Sequence, residues 1–227
     1  MSRVFFALFG LAGVAILVWL GMWQLQRLEW KTDLLAQIES RMSQEPVELP
    51  SVVTLTYDNY RQVTFEGVLT GSTAHFLTSD RNTGPGYKVI AAAAAPGRRV
   101  MIDLGFVPID QKPQFEQLFG GISIVGNVYF PNEVDPRYTP MPDFAQNIFF
   151  ARDLELMPEY LDTERVLIVA TQVEPDFGTI PQRVAHNLPN DHFGYAITWF
   201  LLALAWAGMT VFAYIRMGSS GAKAQEP

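Results

Sequence analysis

The side chains best suited to hold a metal or carry a proton are three histidines, His75, His186 and His192. They are poorly spaced for a shared metal. His186 and His192 stand six residues apart across a proline with Asp191 beside them, which is no recognised ligand pattern. His75 lies in the strand-like stretch TAHFLTS and reads as a packing or surface residue. There is no cysteine, which excludes disulfides, thiolate metal sites, iron–sulfur clusters, thiol nucleophiles and covalent attachment through Cys-x-x-Cys-His. The eight methionines are scattered, whereas a soft-metal site groups them. No G-x-S-x-G, H-E-x-x-H or G-x-x-x-x-G-K-[ST] occurs, and the glycines of RNTGPGYKV read as a turn. Nothing in the polar part of the chain reads as an enzyme.

His192 has a different setting. It opens HFGYAITWFLLALAWAGMTVFAYI, of which residues 193–215 carry no charge. On a helix, His192, Tyr195, Trp199, Leu202 and Trp206 follow one another at three- and four-residue steps and form one stripe. Flat rings beneath an imidazole would wall a site for a flat, apolar macrocycle. Tyrosine and tryptophan also belong at membrane interfaces, and a histidine is at home on that boundary. The residues alone leave both readings open. Trp206, however, lies about two turns deeper than Trp199, away from the outer belt.

Two stretches must position this stripe. Residues 4–22 and 193–215 are uncharged and reach the roughly 20 residues that a spanning helix needs, so the lipid bilayer is a partner. The first reads as a retained anchor, with a cleaved signal as the alternative. Its apolar run exceeds the usual ~7–15 residues, and no A-x-A-like site follows. Arg3 precedes the first span, and Arg216 and Lys223 follow the second. Both ends therefore read as cytoplasmic and the middle as lying outside the cytoplasm. The span begins too near Met1 for an Arg- and Ser-rich transit peptide, which favours a bacterial inner membrane. Ala7, Gly10 and Gly13 on one span, with Ala203 and Ala207 on the other, predict that the two pack together.

After the first span, Leu25, Leu28, Leu35, Ile38 and Met42 keep a helical period. No proline interrupts residues 4–44, so one continuous helix of about 40 residues, about 60 Å long, is expected to lay this stripe on the soluble domain. EPVELP ends it. From residue 60 the period changes. YRQVTFEGVL, TAHFLTS, YKVIAAAAA, RRVMIDLGFV, ISIVGNVYF and RVLIVATQV predict about six strands, separated by turn clusters such as NTGPG and APG. Short helices are expected near 114–118 and 154–161, and FPNEVDPRYTPMPD reads as a loop.

The fold class is thus an α+β membrane protein. Two transmembrane helices flank a mainly antiparallel β domain, and a long helix extends from the first span. The divisions are 1–3 (cytoplasmic), 4–22 (span), 23–45 (juxtamembrane helix), 46–192 (periplasmic β-rich domain), 193–215 (span) and 216–227 (cytoplasmic tail). The formal charge of -7 and the lack of a basic arm exclude nonspecific nucleic-acid binding.

LGMWQLQRLEWKTDLLAQIESR resembles the opening signature of the Surf1 family, and YRQVTFEGVL and GPGYKVI resemble its internal motifs. LPNDHFGYAITWFLLA is similar to the closing signature, usually Asn-Asn-His-x-x-Tyr-Ala-x-Thr-Trp-Phe. Order and spacing fit over nearly the whole chain. The resemblance implies a non-enzymatic assembly factor for haem–copper terminal oxidases of the aa3 type, acting around insertion of haem a into catalytic subunit I. Haem a synthase is a further implied partner. It makes His192 the expected axial ligand of the haem iron, with Tyr195 and Trp199 on the motif's aromatic positions. The opening motif supplies Gly21, Trp23, Gln24, Arg27 and Trp30, for helix packing or for haem contact. Where the family usually has Asn-Arg-Gly-Trp-Val-Pro, this chain has Asp103, Leu104, Gly105, Phe106, Val107 and Pro108, and Asp191 replaces the second asparagine before the histidine. The lost arginine and tryptophan put in doubt any docking contact those side chains make. A scaffold that never touches haem is the alternative. A copper-delivery protein is disfavoured by the missing cysteines.

Overall fold

No proline interrupts residues 3–42. In the computed structural model, which describes residues 3–182, 184 and 190–222, they form one 40-residue helix, α1 (Arg3–Met42). After it come β1 (Val47–Glu48), α2 (Leu55–Asp58), β2 (Gln62–Asp80), β3 (Gly84–Ala95), β4 (Arg98–Pro108) and a 3-10 turn (Ile109–Phe115). The chain continues with β5 (Phe119–Tyr129), β6 (Ile148–Phe149), α3 (Leu156–Leu161), β7 (Leu167–Glu174) and α4 (His192–Ala222). Two compact units result: Met1–Gln37 with Leu188–Pro227, and Ile38–Asn187.

In the first unit, α1 and α4 are both long and apolar enough to cross a membrane. Val4, Phe5, Leu8, Phe9, Leu11, Ile16 and Trp19 of α1 are exposed, as are Leu201, Leu204, Val211, Phe212 and Ile215 of α4. Such apolar surface has no place in water and suits lipid.

The second unit is a closed barrel. β2 pairs with β3, β3 with β4, β4 with β7, β7 with β5, and β5 returns to β2. A single long strand makes the closure possible. The first half of β2 pairs with β5, from Gln62↔Asn127 to Thr70↔Phe119, and the second half with β3, through to Asp80↔Gly84. The sequence reading had two strands here. They are one 19-residue strand with a bulge between Leu69 and Thr73. Gly71 sits in that bulge at φ +91, a conformation that a side chain resists, so the strand turns its pairing without ending. Only the β4–β7 contact is parallel within the ring, so the domain is mainly antiparallel as expected. A five-stranded ring of this order is the OB type of barrel.

Inward residues alternate as a half-buried strand requires: Val63 and Phe65, Val89, Ala91 and Ala93, then Ile102, Ile124 and Ile168. On the outer side, Ile90, Ala92 and Met101 are covered by Phe149, Met157 and Leu161. Strands β3 and β4 are therefore buried on both faces, and the run AAAAA has almost no exposed member between Ala91 and Ala93. Each large apolar side chain so enclosed contributes about 1.5–3 kcal/mol.

Among the described residues there are seven strands where about six were expected. The two-residue β1 and β6 are too short to show a period, and both pair in parallel with β2. The helix expected at 114–118 is instead the 3-10 turn, with Pro113 inside it denying the α pattern a donor. α3 falls within the expected 154–161. Ile38 and Met42, at the end of the α1 stripe, are buried.

Candidate functional site

α1 and α4 pack antiparallel through small residues. A Cβ added at Gly10 would lie 2.1 Å from Thr210, one at Gly13 2.4 Å from Trp206 Nε1, and one at Gly21 2.6 Å from Phe200. Partner numbers fall along α4 as they rise along α1, so these three contacts define one seam. Gly10 and Gly13 were expected there, and Gly21 extends it by about two turns. On the α4 side, Ala196 and Ala203 are buried in the same seam. Close backbone approach through glycine and alanine is how helices associate where lipid supplies no hydrophobic drive.

Polar groups mark the seam at two levels. Deep in it, the Trp206 indole N–H donates to the Gly10 carbonyl oxygen at 3.1 Å. Trp206 is thus a packing residue with a satisfied donor, which explains its depth. At the outer end, His192 is the first residue of α4, and the Tyr195 N–H donates to the Asp191 carbonyl oxygen, placing Asp191 at the cap. The His192 ring is half-buried, and its Nδ1 lies 2.8 Å from Gln24 Oε1 of α1. Asn190 Oδ1, two residues earlier, is buried with no hydrogen-bond partner.

The sequence-derived stripe is divided by this geometry. His192, Trp199 and Trp206 lie toward the seam, all at least partly buried. Tyr195 is 59% exposed and Leu202 is exposed, so they stand on the outer flank of α4. Of the opening motif, Gly21 and Gln24 face the seam, while Arg27 stacks over the exposed Trp30 ring at 4.3 Å. The role of Gln24 was left open by sequence reasoning. Its signal is an uncharged amide two residues past an uncharged span. His186 lies outside the described residues.

The barrel carries its own polar features, and none resembles a metal centre. No cluster of three or more His, Cys, Asp or Glu able to hold a metal occurs among the described residues. His75 is fully buried, edge-on to the Tyr87 ring at 6.0 Å, and neither ring nitrogen meets a hydrogen-bond partner. Burial, helped by the Lys112 charge, pushes its pKa down to about 4. His75 is therefore a packing residue.

Asp103 is fully buried too. Its Oδ2 lies 3.4 Å from Lys88 Nζ and 3.3 Å from an Arg152 nitrogen, and its Oδ1 accepts from the Gly105 N–H at 3.1 Å. Arg152 Nε donates to Glu133 Oε1 at 3.0 Å, and its guanidinium lies 4.7 Å from the Tyr129 ring centre. Burial works against the Arg152 charge, but the Glu133 hydrogen bonds and the Asp103 charge outweigh it and raise its pKa. Burial also pushes the Tyr129 hydroxyl up to about 12. Leu104 and Phe106 are likewise wholly buried. The divergent residues Asp103, Leu104 and Phe106 thus belong to the buried core and offer no docking surface, whereas Asp191 is exposed.

Comparison with known proteins covers most of the molecule. The sequence model described as SURF1 family matches residues 11–204. The chain is 27% identical to Surfeit locus protein 1 of Homo sapiens over 221 residues, covering 87% of this chain and 73% of that protein. It is 29% identical to the Gallus gallus protein of the same name over 215 residues, covering 82% and 68%. A SURF1-like protein of Monosiga brevicollis is 27% identical over 229 residues, covering 92% and 87%.

Proposed function

The chain belongs to the SURF1 family, and from that premise we propose that it is an assembly factor for an aa3-type haem–copper oxidase, carrying haem a on His192 and assisting its insertion into catalytic subunit I. In this reading haem a is cargo and the protein performs no chemistry on it. The observation that carries the proposal is the contact between His192 Nδ1 and Gln24 Oε1 across the seam, at 2.8 Å. In the tautomer that carries its proton on Nδ1, that nitrogen donates to Gln24 and Nε2 is left with a lone pair, the form in which an imidazole serves as an axial ligand for haem iron. The donor set fits the group. Asn190 Oδ1, two residues before His192, is an acceptor with no protein partner, and Trp199 lies on the His192 side of α4 as an aromatic surface for the macrocycle, whereas Tyr195, expected to share that role, stands on the outer flank. A carrier must also release what it holds, and one imidazole with no thiolate in the chain suits reversible binding.

Oxidase subunit I is the proposed acceptor and haem a synthase the proposed donor. The protein is read as a bacterial inner-membrane protein with residues 46–192 in the periplasm and both termini in the cytoplasm. The test is a visible spectrum. Full-length protein co-produced with haem a synthesis is expected to purify with haem a, and His192→Ala to fold and lose it. Unchanged haem content in that variant overturns the ligand role.

A second reading is a scaffold that stabilises an oxidase assembly intermediate without touching haem. It is favoured by the barrel's own surface, where Val52, Tyr57, Tyr138 and Met141 are exposed. Such exposed apolar side chains are available for a partner to cover. Under that reading His192→Ala leaves oxidase assembly intact while substitutions at these four positions impair it.

A further inference from the structure

The seam places an amide where a haem-ligating histidine needs one. Gln24 lies three residues beyond Gly21 on the α1 face that meets α4, and Gly21 brings the helices close enough that a Cβ there would meet Phe200. His192 is the first residue of α4, so the helical backbone before it does not fix its ring. The ring is instead fixed from across the seam, by Gln24 Oε1 at 2.8 Å from Nδ1.

A neutral imidazole carries one N–H and one lone pair, and the partner of the N–H decides which nitrogen is bare. A glutamine carbonyl oxygen can only accept. With that oxygen turned to the ring, Gln24 favours the tautomer that carries its proton on Nδ1 and leaves Nε2 as the ligating atom. Metal-ligating histidines are oriented by such an acceptor on the second nitrogen, which also makes the ligand more basic. At the edge of an apolar layer this hydrogen bond is stronger than in water.

We infer that Gln24 is a positioning residue for haem binding, selecting the Nε2-ligating tautomer of His192 and setting its electron donation to the iron. The inference rests on the haem-ligand reading of His192. Helix packing alone would explain a side chain of this size at position 24, so the test separates shape from hydrogen bonding. Gln24→Met keeps the volume and loses the acceptor. Gln24→Glu keeps an acceptor and strengthens it.

Full-length wild type, His192→Ala, Gln24→Met and Gln24→Glu would be co-produced with haem a synthesis and purified. Haem a occupancy, affinity and midpoint potential would then be measured. Gln24→Met is expected to bind haem a about 10- to 100-fold more weakly, with a raised midpoint. Gln24→Glu is expected to retain haem at a midpoint below wild type, because a more anionic imidazole favours the ferric state. Wild-type affinity and midpoint in Gln24→Met overturn the inference. Should that variant fail to accumulate, an unchanged midpoint in Gln24→Glu overturns it equally. Loss of haem in His192→Ala beside a normal Gln24→Met removes Gln24 alone. Retention in His192→Ala removes the ligand reading and the inference with it.

Discussion

The indole N–H of Trp206 reaches across to the carbonyl oxygen of Gly10, 3.1 Å away on the facing helix. It can do so because Gly10 and Gly13 carry no side chain where α4 approaches. The contact is more a matter of shape than of hydrogen bonding. Interhelical hydrogen bonds in membranes average about 0.6 kcal/mol, because the separated helices find other partners. Trp206→Phe, which keeps a ring but loses the donor, is expected to cost about that much. Gly13→Leu, which drives a side chain into the indole, is expected to cost about 1–3 kcal/mol by overpacking. Thermal unfolding of the full-length variants in detergent gives the order. Equal losses, or a larger loss for Trp206→Phe, would show that close approach at Gly13 is not what holds the seam.

That seam also shows how far the sequence could be read. The apolar runs, the end of the α1 stripe at Ile38 and Met42, and the small residues at Gly10, Gly13 and Ala203 follow from composition and the 3.6-residue period, and they are where those rules put them. His192 was visible because it is a lone imidazole at the edge of an uncharged run. Gln24 could not be matched to it, since 168 residues separate the pair and only the helix register brings them together. The barrel was half legible. Alternation revealed strands, but it does not say that β2 runs unbroken through Gly71 to close the ring. Asp103 and Leu104 looked like altered docking residues, because sequence carries no signal for burial on both faces of β4.

His75 predicts a pH effect on stability. In the fold its pKa is pushed down to about 4, whereas in the unfolded chain it is the ordinary 6.5. Between those values the unfolded chain binds more protons, so stability rises with pH. The contribution is complete above pH 6.5 and is lost as pH falls toward about 4. Its full size is on the order of 3 kcal/mol. His75→Phe, which can keep the edge-on contact with Tyr87, is expected to remove this slope. Unfolding midpoints of wild type and variant across the window check it, and parallel profiles would assign the slope to other groups.

Arg152 holds two carboxylates beneath the barrel's outer layer. Arg152→Met leaves Asp103 fully buried with Lys88 alone at 3.4 Å, and leaves Glu133 without the guanidinium. Breaking a buried pair from one side costs about 3–5 kcal/mol, because the remaining charge stays in a poor solvent. Adding Asp103→Asn takes the carboxylate away from the buried Lys88 and is expected to recover none of the loss. Denaturant unfolding of the full-length variants measures both. A loss below about 1 kcal/mol for Arg152→Met would mean that water reaches Asp103 and screens it as at a surface.

The proposed orientation is open to a direct check. Both helices able to cross a bilayer carry positive charge toward the chain ends, with Arg3 at the start of α1 and Arg216 near the end of α4. Positive residues flanking a span stay in the cytoplasm, and each membrane-crossing helix reverses the side. The segment joining the helices is too long for its charges as a whole to decide its side, and Arg27 and Lys31 just past the first span oppose the bias, so the expectation rests on the positive residues at the chain ends. A reporter active only in the periplasm, fused after Gln44, is therefore expected to be active, and one fused after Ser220 inactive. The opposite pattern would invert the protein and put His192 at the cytoplasmic edge. Under the proposed haem-carrier reading, the cargo would then have to meet His192 from the cytoplasmic side.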